Sequence, residues 1–446
     1  MFIDFLLEGF ANYKDEEAII WSDQSFRYDW MLATVQKHLV NLRAAVEPQS
    51  VVALEADFSP NSVAILLALI EYGCIIVPLT DSVTYQKSEF REIAEVETII
   101  KVNPNDEVAI EHTRIPVKHE LLQSLKQAKR PGLILFSSGS TGKSKATLHD
   151  FVPLLEKFRV PRYARRTITF LLFDHIGGIN TLLYTLSNGG CIISVRERTP
   201  ETVCRAIEKY RAETLPTSPT FINLLLLSEA YQRFDLSSLT LVSYGTEVMP
   251  ESTLLRFNKL FPNVSLLQTY GLSEIGIMRS KSKSSGSLWV KIGGEGFATR
   301  VVDGILEIQA QSAMLGYLNA PSPFTADGWF HTGDAVEVDG DYLRILGRKS
   351  ELINVGGKKV YPAEVESVIQ LMDGVEEVAV SAEKNPITGQ MVKARVKLCT
   401  EETVSEFRQR MREFCRGKLE AFKIPQKVVL VAESMHGERF KKMRRE

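Results

Sequence analysis

The chain has 446 residues, of which 44% are hydrophobic and 24% charged, so it is long enough for two or three domains with sizeable cores. Its 53 basic residues face 55 acidic ones, which excludes the excess of positive charge that a nucleic-acid-binding protein needs. The five cysteines form no CxxC pair and the histidines do not cluster, so we expect neither disulfides nor a zinc-type site. A reducing compartment, the cytoplasm, is the expected location.

The amino-terminal segment 1–17 is apolar but carries Asp4 and Glu8 and has no basic leader. It therefore predicts an amphipathic helix packed on the body of the protein, not a signal peptide. The longest apolar stretch, 63–79, is interrupted by Glu71, so we expect no membrane span there.

Short strands alternate with helices over most of the sequence. A hairpin at 18–30 and a helix at 31–46 come first, followed by a strand at 51–55, a helix at 62–72 and a strand at 74–79. This alternation predicts parallel, doubly wound sheets. Further strands are predicted at 132–136, 168–173, 191–195, 214–218, 239–244 and 265–269.

The character of the sequence changes from about residue 304, where short hairpins rich in turn residues replace the long alternation. The segment 348–446 predicts a small α+β unit with helices at 362–371 and 404–419. The expected fold class is α/β, with a large amino-terminal domain at 1–347 and a small carboxy-terminal domain at 348–446.

The segment 133–145, LILFSSGSTGKSK, joins a buried strand to a loop of Ser, Thr and Gly that carries two lysines. Such a loop presents backbone N–H groups, hydroxyls and ammonium groups at one point, which suits a polyphosphate. It is close to the P-loop pattern, with Gly142, Lys143 and Ser144 in place, although Ser137 stands where the first glycine belongs. The loop alone leaves a kinase-type P-loop and another kind of phosphate site both open.

Three later motifs add chemical groups. In QTYGLSEIG, 268–276, Tyr270 offers a stacking face for a nucleobase and Glu274 a carboxylate for Mg²⁺. In a TGD turn, Asp334 can accept hydrogen bonds from both hydroxyls of a ribose, although an Asp that caps its own turn is also common. The third motif, GRKSELINVGGKK, contains Arg348 and opens the carboxy-terminal unit.

The four motifs, in this order, resemble the acyl-adenylate-forming (AMP-binding) superfamily of acyl- and aryl-CoA synthetases, stand-alone adenylation domains and luciferases. The resemblance covers essentially the whole chain, because DEEAIIWSDQSFRYDWM and SVAILLALIEYGCIIVPL match early family motifs. It argues against the P-loop kinase interpretation, since a Walker-type NTPase does not require the later motifs. It also implies a small distorted barrel in the amino-terminal domain and a mobile carboxy-terminal domain.

The resemblance implies a site for ATP with Mg²⁺. Contacts to ATP or AMP are implied for Ser138, Gly139, Ser140, Thr141, Gly142, Lys145, Tyr244, Gly245, Tyr270, Gly271, Ser273, Asp334 and Arg348. Metal binding and a part in catalysis are implied for Glu274 and Thr141.

The resemblance further implies two half-reactions in two orientations of the carboxy-terminal domain. A substrate carboxylate attacks the α-phosphorus of ATP, pyrophosphate leaves, and a thiol then displaces AMP to give a thioester. The hinge falls at Ser350, where Asp or Lys is usual, and a serine can still act as a pivot. The tunnel for the thiol would be lined by Gly356, Gly357, Lys358 and Lys359.

The main departure from the family lies in the carboxy-terminal segment 433–446, called the tail below. In the family, a GK…R motif at this place supplies a lysine that reaches the substrate carboxylate and the α-phosphate. Alignment on Gly437 without gaps places Glu438 there, and its negative charge would repel both anions. A shift of a few residues would give the role to Arg439, Lys441 or Lys442. We favour the two lysines as the catalytic candidates, with Lys441 ahead.

The acid pocket is expected among the DHIGG, SYGTE and YGLSE loops. Its implied residues are His175, Gly178, Gly245 and Gly271. Amino-acid-activating members hold the α-ammonium with an Asp after Phe, but in the register counted back from 188–190 Asp174 lies one position early. His175 instead matches the characteristic His of acyl- and aryl-activating members. We therefore expect a fatty or aryl acid.

Three functions stay open at this point. An acid–CoA ligase is favoured, followed by a stand-alone enzyme that loads an acyl, aryl or amino acid onto the phosphopantetheine of a carrier protein. The third is a non-catalytic nucleotide- or adenylate-binding protein. The expected partners are a carboxylic acid and CoA or a carrier protein, with no nucleic acid, and the protein is expected to be a monomer or homodimer.

Overall fold

The computed structural model describes residues 1–113, 115–138, 144–437 and 440–444, and for Ser138 only the backbone. The phosphate-loop predictions at Gly139, Ser140, Thr141 and Gly142 lie outside the described residues, as does the side chain of Ser138.

The described residues form twelve α-helices and 27 β-strands, numbered here in chain order. Helices α1 to α12 are Asp4–Asn12, Tyr28–Ala45, Pro60–Tyr72, Lys87–Ile93, Glu120–Gln127, Phe151–Leu155, Ile176–Ser187, Pro200–Tyr210, Pro219–Ser228, Glu251–Leu260, Pro362–Ile369 and Val404–Cys415. Strands β1 to β13 are Glu17–Trp21, Gln24–Arg27, Val51–Glu55, Ile75–Leu79, Thr98–Val102, Val108–His112, Gly132–Ser138, Ser144–Asp150, Arg166–Ile168, Cys191–Ile193, Thr214–Thr217, Leu241–Tyr244 and Ser265–Gln268. Strands β14 to β27 are Gly271–Leu272, Gly276–Ile277, Arg279–Ser282, Trp289–Gly293, Phe297–Val302, Ile305–Ala310, Gly316–Tyr317, Phe330–Asp339, Tyr342–Arg348, Ile353–Val355, Lys358–Val360, Val375–Asn385, Gly389–Leu398 and Lys427–Leu430.

Two seven-stranded sheets form most of the molecule. One has the order β13-β12-β11-β9-β10-β1-β2 and the other β20-β8-β7-β4-β3-β5-β6. Their central strands pair in parallel, for example β11 with β12 and β3 with β4, while β2, β6, β8 and β20 add antiparallel pairs. The expected doubly wound α/β architecture is confirmed.

Helix α3 is apolar on every side because core side chains surround it. Its residues from Val63 to Ile70 are at most 1% exposed, and they share one core with side chains of β3, β7, α7 and β10. The helix begins at a capping box, in which the Ser59 hydroxyl accepts from the Ser62 N–H, and ends at Gly73 in the left-handed region. A helix with apolar residues all round is stable only in such a buried position.

The phosphate loop joins two antiparallel strands, because β7 pairs with β8 in register from Gly132–Asp150 to Ser138–Ser144. The strand predicted at 132–136 is present, but the strand–helix alternation of the sequence also predicts a helix after it, and that prediction is wrong because the antiparallel strand β8 follows. In a P-loop a helix begins directly after the glycine-lysine pair, and its amino terminus faces the phosphate. Here Ser144 begins a strand instead, which agrees with the rejection of the kinase-type interpretation.

The strand predicted at 168–173 is also wrong in its bounds, since β9 ends at Ile168. After it the chain leaves the sheet, and the side chains of 169–175 divide between two environments. Phe173 is fully buried in the core, whereas Phe170, Leu171 and Leu172 line a cavity. Periodicity does not distinguish these two kinds of apolar contact, because both favour large side chains.

The remaining strands of the described residues form three smaller sheets, of which one is the two-stranded pair β14-β15. An antiparallel sheet has the order β16-β17-β22-β21-β19-β18, and a carboxy-terminal sheet has the order β24-β23-β26-β25 with β27 paired to β26. Residues of α11 and α12 pack on the carboxy-terminal sheet in a core of their own. A large amino-terminal sheet domain with a smaller α+β domain is thus confirmed. All five cysteines are free, and no described helix has the length and apolarity that crossing a bilayer would need.

Candidate active site

The carboxyl ends of β9, β11, β12 and β13 open onto a cavity of about 190 Å³. Loops at this edge of a parallel sheet are where α/β proteins place their ligands. An adjoining cavity of about 100 Å³ shares several lining residues with the first. The shared residues are Gly245, Thr246, Thr269, Gly271, Leu272, Arg348 and Lys441.

Asp334 lies at the smaller cavity and holds two partners. The register of β21 and β22 places Arg348 opposite Asp334, and the Arg348 Nε lies 2.7 Å from Asp334 Oδ1. The Tyr270 hydroxyl donates to Oδ2 at 2.5 Å. Burial raises the pKa of Asp334, and the charge of Arg348 opposes this rise. Arg348 and Tyr270 therefore hold the Asp334 carboxylate in a fixed position, with one cation and one phenol hydroxyl beside it.

Glu274 faces the larger cavity, where the Tyr317 hydroxyl donates to its Oε1 at 2.7 Å. The Lys145 ammonium lies 4.9 Å from the centroid of the Tyr317 ring, a cation–π distance. Sequence reasoning did not find Tyr317, which falls in a short strand without a motif of its own. Its contacts link two residues that the sequence did predict.

A single carboxylate fits the way in which Mg²⁺ is bound with nucleotides. The described residues contain no cluster of three or more His, Cys, Asp or Glu that could hold a metal ion alone. Mg²⁺ usually takes one or two carboxylates and completes its shell with phosphate oxygens and water. Glu274, at the cavity wall, is chemically suited to that partial role.

The tail lysines point in different directions. Lys441 lines both cavities, and its side chain is exposed. The protein atoms around its ammonium limit the hydration of the charge, and together with the nearby charge of Arg348 they lower its pKa. Lys442 turns away, and its Nζ lies 3.1 Å from Glu366 Oε2. The Lys442 backbone N–H donates to Glu247 Oε2 at 3.1 Å, so the tail is tied to the large sheet domain at this residue.

Glu366, on α11, is the buried centre of the tail's attachment. It is 1% exposed, and Arg444 contacts both of its oxygens at 2.9 Å. Burial by itself would raise the pKa of Glu366, but the charges of Arg444 and Lys442 outweigh it and hold the pKa at about 2.

Replacement of Glu366 by alanine is expected to destabilise the protein by about 3–5 kcal/mol, because it leaves two cations without their buried partner. The unperturbed pKa is 4.5 and the folded one about 2, so the stability from this carboxylate is present above pH 4.5 and lost as the pH falls toward 2. Urea unfolding at several pH values measures both effects. Glu364→Ala is the control, since Glu364 is more exposed on the same helix and pairs with Lys423 at the surface. Equal losses in the two variants would contradict the prediction.

Of the two residues predicted for the acid pocket at α7, one lines the cavity and the other packs the helix. His175 lines the larger cavity and caps the helix, its Nδ1 accepting from the Gly177 N–H at 3.1 Å. Gly177 lines the cavity as well, but Gly178 does not appear on its wall. A Cβ at Gly178 would lie 1.9 Å from the Leu172 carbonyl oxygen, so this glycine permits close packing of the helix on the loop.

Asp174 faces away from the cavity wall toward another loop. It is 4% exposed, and its Oδ2 accepts from the Thr80 hydroxyl at 3.0 Å. The cavity wall combines polar and apolar residues. Its apolar members are Phe170, Leu171, Leu172, Ile176, Pro216, Leu272, Ile277 and Phe440.

Among the other predicted nucleotide contacts, Gly245, Gly271 and Ser273 line the larger cavity. Tyr244 does not: it is 1% exposed in the core of the first sheet, with its hydroxyl 3.5 Å from Gln268 Oε1. Because side chains alternate along a strand, the last residue of β12 points into the core while Gly245 reaches the cavity.

The predicted thiol-tunnel residues lie away from both cavities in this structure. Gly356 and Gly357 form the turn between β23 and β24 with φ values of 57° and 86°. Lys358 lies 4.5 Å from the centroid of the Phe422 ring, and Lys359 is exposed. The predicted hinge residue, Ser350, lies in a 3₁₀ turn at Lys349–Glu351, directly after Arg348 and the end of β22.

Two family models match the chain. One, described as AMP-binding enzyme, matches residues 7–291, and the other, the AMP-binding enzyme C-terminal domain, matches residues 364–441. Among curated relatives, the indoleacetate–CoA ligase of Aromatoleum aromaticum is 28% identical over 68% of this chain and 64% of its own. Across three CoA ligases that include this one, the chain spans 55 to 64% of the relative's length.

A longer alignment is found with the 2-succinylbenzoate–CoA ligase of Enterococcus faecalis, which is 26% identical over 93% of this chain and 91% of its own. Among solved structures, the anthranilate CoA ligase AuaEII in complex with anthranoyl-AMP has a TM-score of 0.81 at 19% identity. That similarity covers 99% of this chain and 95% of the other, and it concerns the fold.

Proposed function

Since the chain belongs to the AMP-binding enzyme family, we propose that it uses ATP to activate a carboxylic acid as an acyl-adenylate and then transfers the acyl group to the thiol of CoA. The observation that carries the proposal is the meeting of Asp334, Arg348 and the tail residue Lys441 at the two adjoining cavities, with Glu274 on the wall of the larger one. A carboxylate for a ribose, two cations for phosphates and a ligand for Mg²⁺ are what adenylation requires.

These residues have three tasks in the first half-reaction: ribose binding, charge stabilisation at the α-phosphate, and Mg²⁺ binding. Asp334 accepts hydrogen bonds from the ribose hydroxyls with the lone pairs that Arg348 and Tyr270 leave available. Lys441 and Arg348 offset the negative charge on the α-phosphate as the substrate carboxylate attacks the α-phosphorus and the bond to pyrophosphate breaks. Mg²⁺ held by Glu274 and phosphate oxygens would neutralise part of the leaving pyrophosphate charge.

A fatty or aryl acid is the proposed substrate class. Part of the wall of the larger cavity consists of apolar side chains, among them Phe170, Leu171 and Leu172, and this part favours burial of an alkyl chain or an aromatic ring. Asp174, which would have to face an amino acid's ammonium group, instead accepts from Thr80. The proposal therefore excludes an α-amino acid as the preferred substrate.

The second half-reaction is proposed to use a different position of the small domain, 348–446, turned about Ser350. In the present arrangement Lys441 occupies the cavities and the Gly356–Gly357 turn lies outside them. A rotation that withdraws the tail would let this turn approach and line a path for the thiol. CoA is preferred as the acceptor because the exposed Lys358 and Lys359 offer charge to its phosphates.

The test is ATP–pyrophosphate exchange across a panel of fatty, aryl and amino acids with Mg²⁺, followed by detection of thioester with CoA or with a phosphopantetheinylated carrier protein. Exchange with fatty or aryl acids and thioester formation with CoA are the expected results. Exchange with amino acids alone would overturn the proposed substrate class. Thioester only on the carrier would replace CoA as the acceptor, and an absence of exchange with every acid would favour a nucleotide-binding protein.

A further inference from the structure

The tail carries an aromatic side chain into the large sheet domain. The ring of Phe440 lies 5.1 Å from that of Phe170 and 5.5 Å from that of Phe221, and it stacks on His436 at 5.1 Å. Phe170 and Phe221 are at most 2% exposed and belong to the core of the first sheet. Aromatic pairs at these distances attract one another beyond simple burial, so the ring is a specific contact of the tail with the large domain.

The backbone at Phe440 is held in a conformation that a large side chain rarely adopts. Its φ is 47°, in the left-handed region, where a glycine would meet no steric penalty. Two hydrogen bonds maintain it: the Ser218 hydroxyl donates to the Phe440 carbonyl at 2.7 Å, and the Phe440 N–H donates to the Gly437 carbonyl at 2.9 Å. Such strain persists only where the surroundings fix it, and it concentrates at functional sites.

Phe440 also lines the larger cavity, beside the apolar residues Leu171 and Leu172 and close in sequence to Lys441. One part of the wall around the proposed acid site thus comes from the small domain. We infer that Phe440 is a specificity-determining residue, which the tail brings into the acid pocket when Lys441 arrives. This inference rests on the proposed function and deepens it: the pocket that selects the acid is complete only in the adenylation arrangement.

Replacement of Phe440 by alanine should open the pocket on the tail side. We expect the KM for the best acid to rise at least tenfold in pyrophosphate exchange, with the KM for ATP changed by less than about threefold. The ratio of kcat/KM for a bulkier acid to that for the best acid should rise at least tenfold. Phe440→Leu keeps an apolar wall and should retain most of the selectivity. Phe26→Ala removes a partly buried ring that contacts Trp30 and does not line the cavity. It should change neither the KM for the best acid nor the ratio of the two kcat/KM values.

A second measurement does not depend on turnover. Calorimetric titration with a non-hydrolysable acyl-sulfamoyl adenosine of the best acid, or of benzoate if none exchanges, should show at least tenfold weaker binding to Phe440→Ala than to the wild type. If the wild type exchanges with an acid but Phe440→Ala keeps its KM, acid ranking and analogue affinity, the inference fails and the proposed function stands. If the wild type neither exchanges nor binds the analogue, both fail.

Discussion

Replacement of Lys441 by alanine is expected to lower ATP–pyrophosphate exchange by about a hundredfold or more, the effect of removing one preorganised charge from a developing anion. Lys441 is the tail lysine that lines both cavities, next to Arg348. Transfer from preformed acyl-adenylate to CoA should change little, because the proposed second arrangement withdraws the tail. Exchange and transfer rates measured separately check both statements.

Lys442→Ala is the matched control for this prediction. Its ammonium pairs with Glu366 outside the cavities, and Arg444 still contacts that carboxylate when Lys442 is removed. We expect exchange in this variant within about fivefold of the wild type. A loss in Lys442→Ala equal to that in Lys441→Ala would contradict the separate placement of the two side chains in catalysis.

The pH dependence adds a second check on Lys441. Its pKa lies below the ordinary 10.5, chiefly because the surrounding protein limits hydration of the ammonium, so the ammonium loses its proton at a lower pH than a free lysine would. The kcat/KM for ATP, which reports the free enzyme, should therefore fall as the pH rises toward this lowered pKa. Lys441→Arg keeps its charge over the whole range and should move the fall to higher pH. An identical alkaline limb in the two enzymes would assign it to another group.

Replacement of Asp334 by alanine should raise the KM for ATP by about a hundredfold, because two hydroxyls of the ribose lose a charged acceptor. It also frees Arg348, which the carboxylate holds at 2.7 Å, so its position toward the α-phosphate is lost as well. The prediction is checked by the KM for ATP and by direct titration of ATP onto the variant.

Asp327→Ala is the control for Asp334. Asp327 makes a similar ion pair, 2.7 Å from Arg300, but at the surface, and it lines neither of the two cavities. We expect the KM for ATP in this variant to stay within about twofold of the wild type. Asp334→Asn distinguishes charge from shape: it should bind ATP better than Asp334→Ala and less well than the wild type. Unchanged ATP affinity in Asp334→Ala would remove this residue from the nucleotide site.

Much of the fold followed from local patterns in the sequence. The strand–helix alternation predicted parallel sheets because connections between parallel strands need a crossover helix. The errors fell where the pattern is ambiguous. The chain after β9 is as apolar as a strand, yet Leu171 and Leu172 leave the sheet to line a cavity. A Gly- and Ser-rich loop likewise does not show whether a helix or a strand follows.

The order of the motifs alone determined the family of this protein, because the residues of each motif and their chemistry can be read directly from the sequence. What only the tertiary structure decided is which tail lysine faces the cavities. Lys441 and Lys442 are adjacent and chemically alike, so their directions depend on contacts from distant parts of the chain. Ser218 and Glu247 bind the backbone on the two sides of Lys441, and the negative charge of Glu366 holds the Lys442 side chain outside the cavities. Those contacts join residues far apart in sequence, and no local pattern records them.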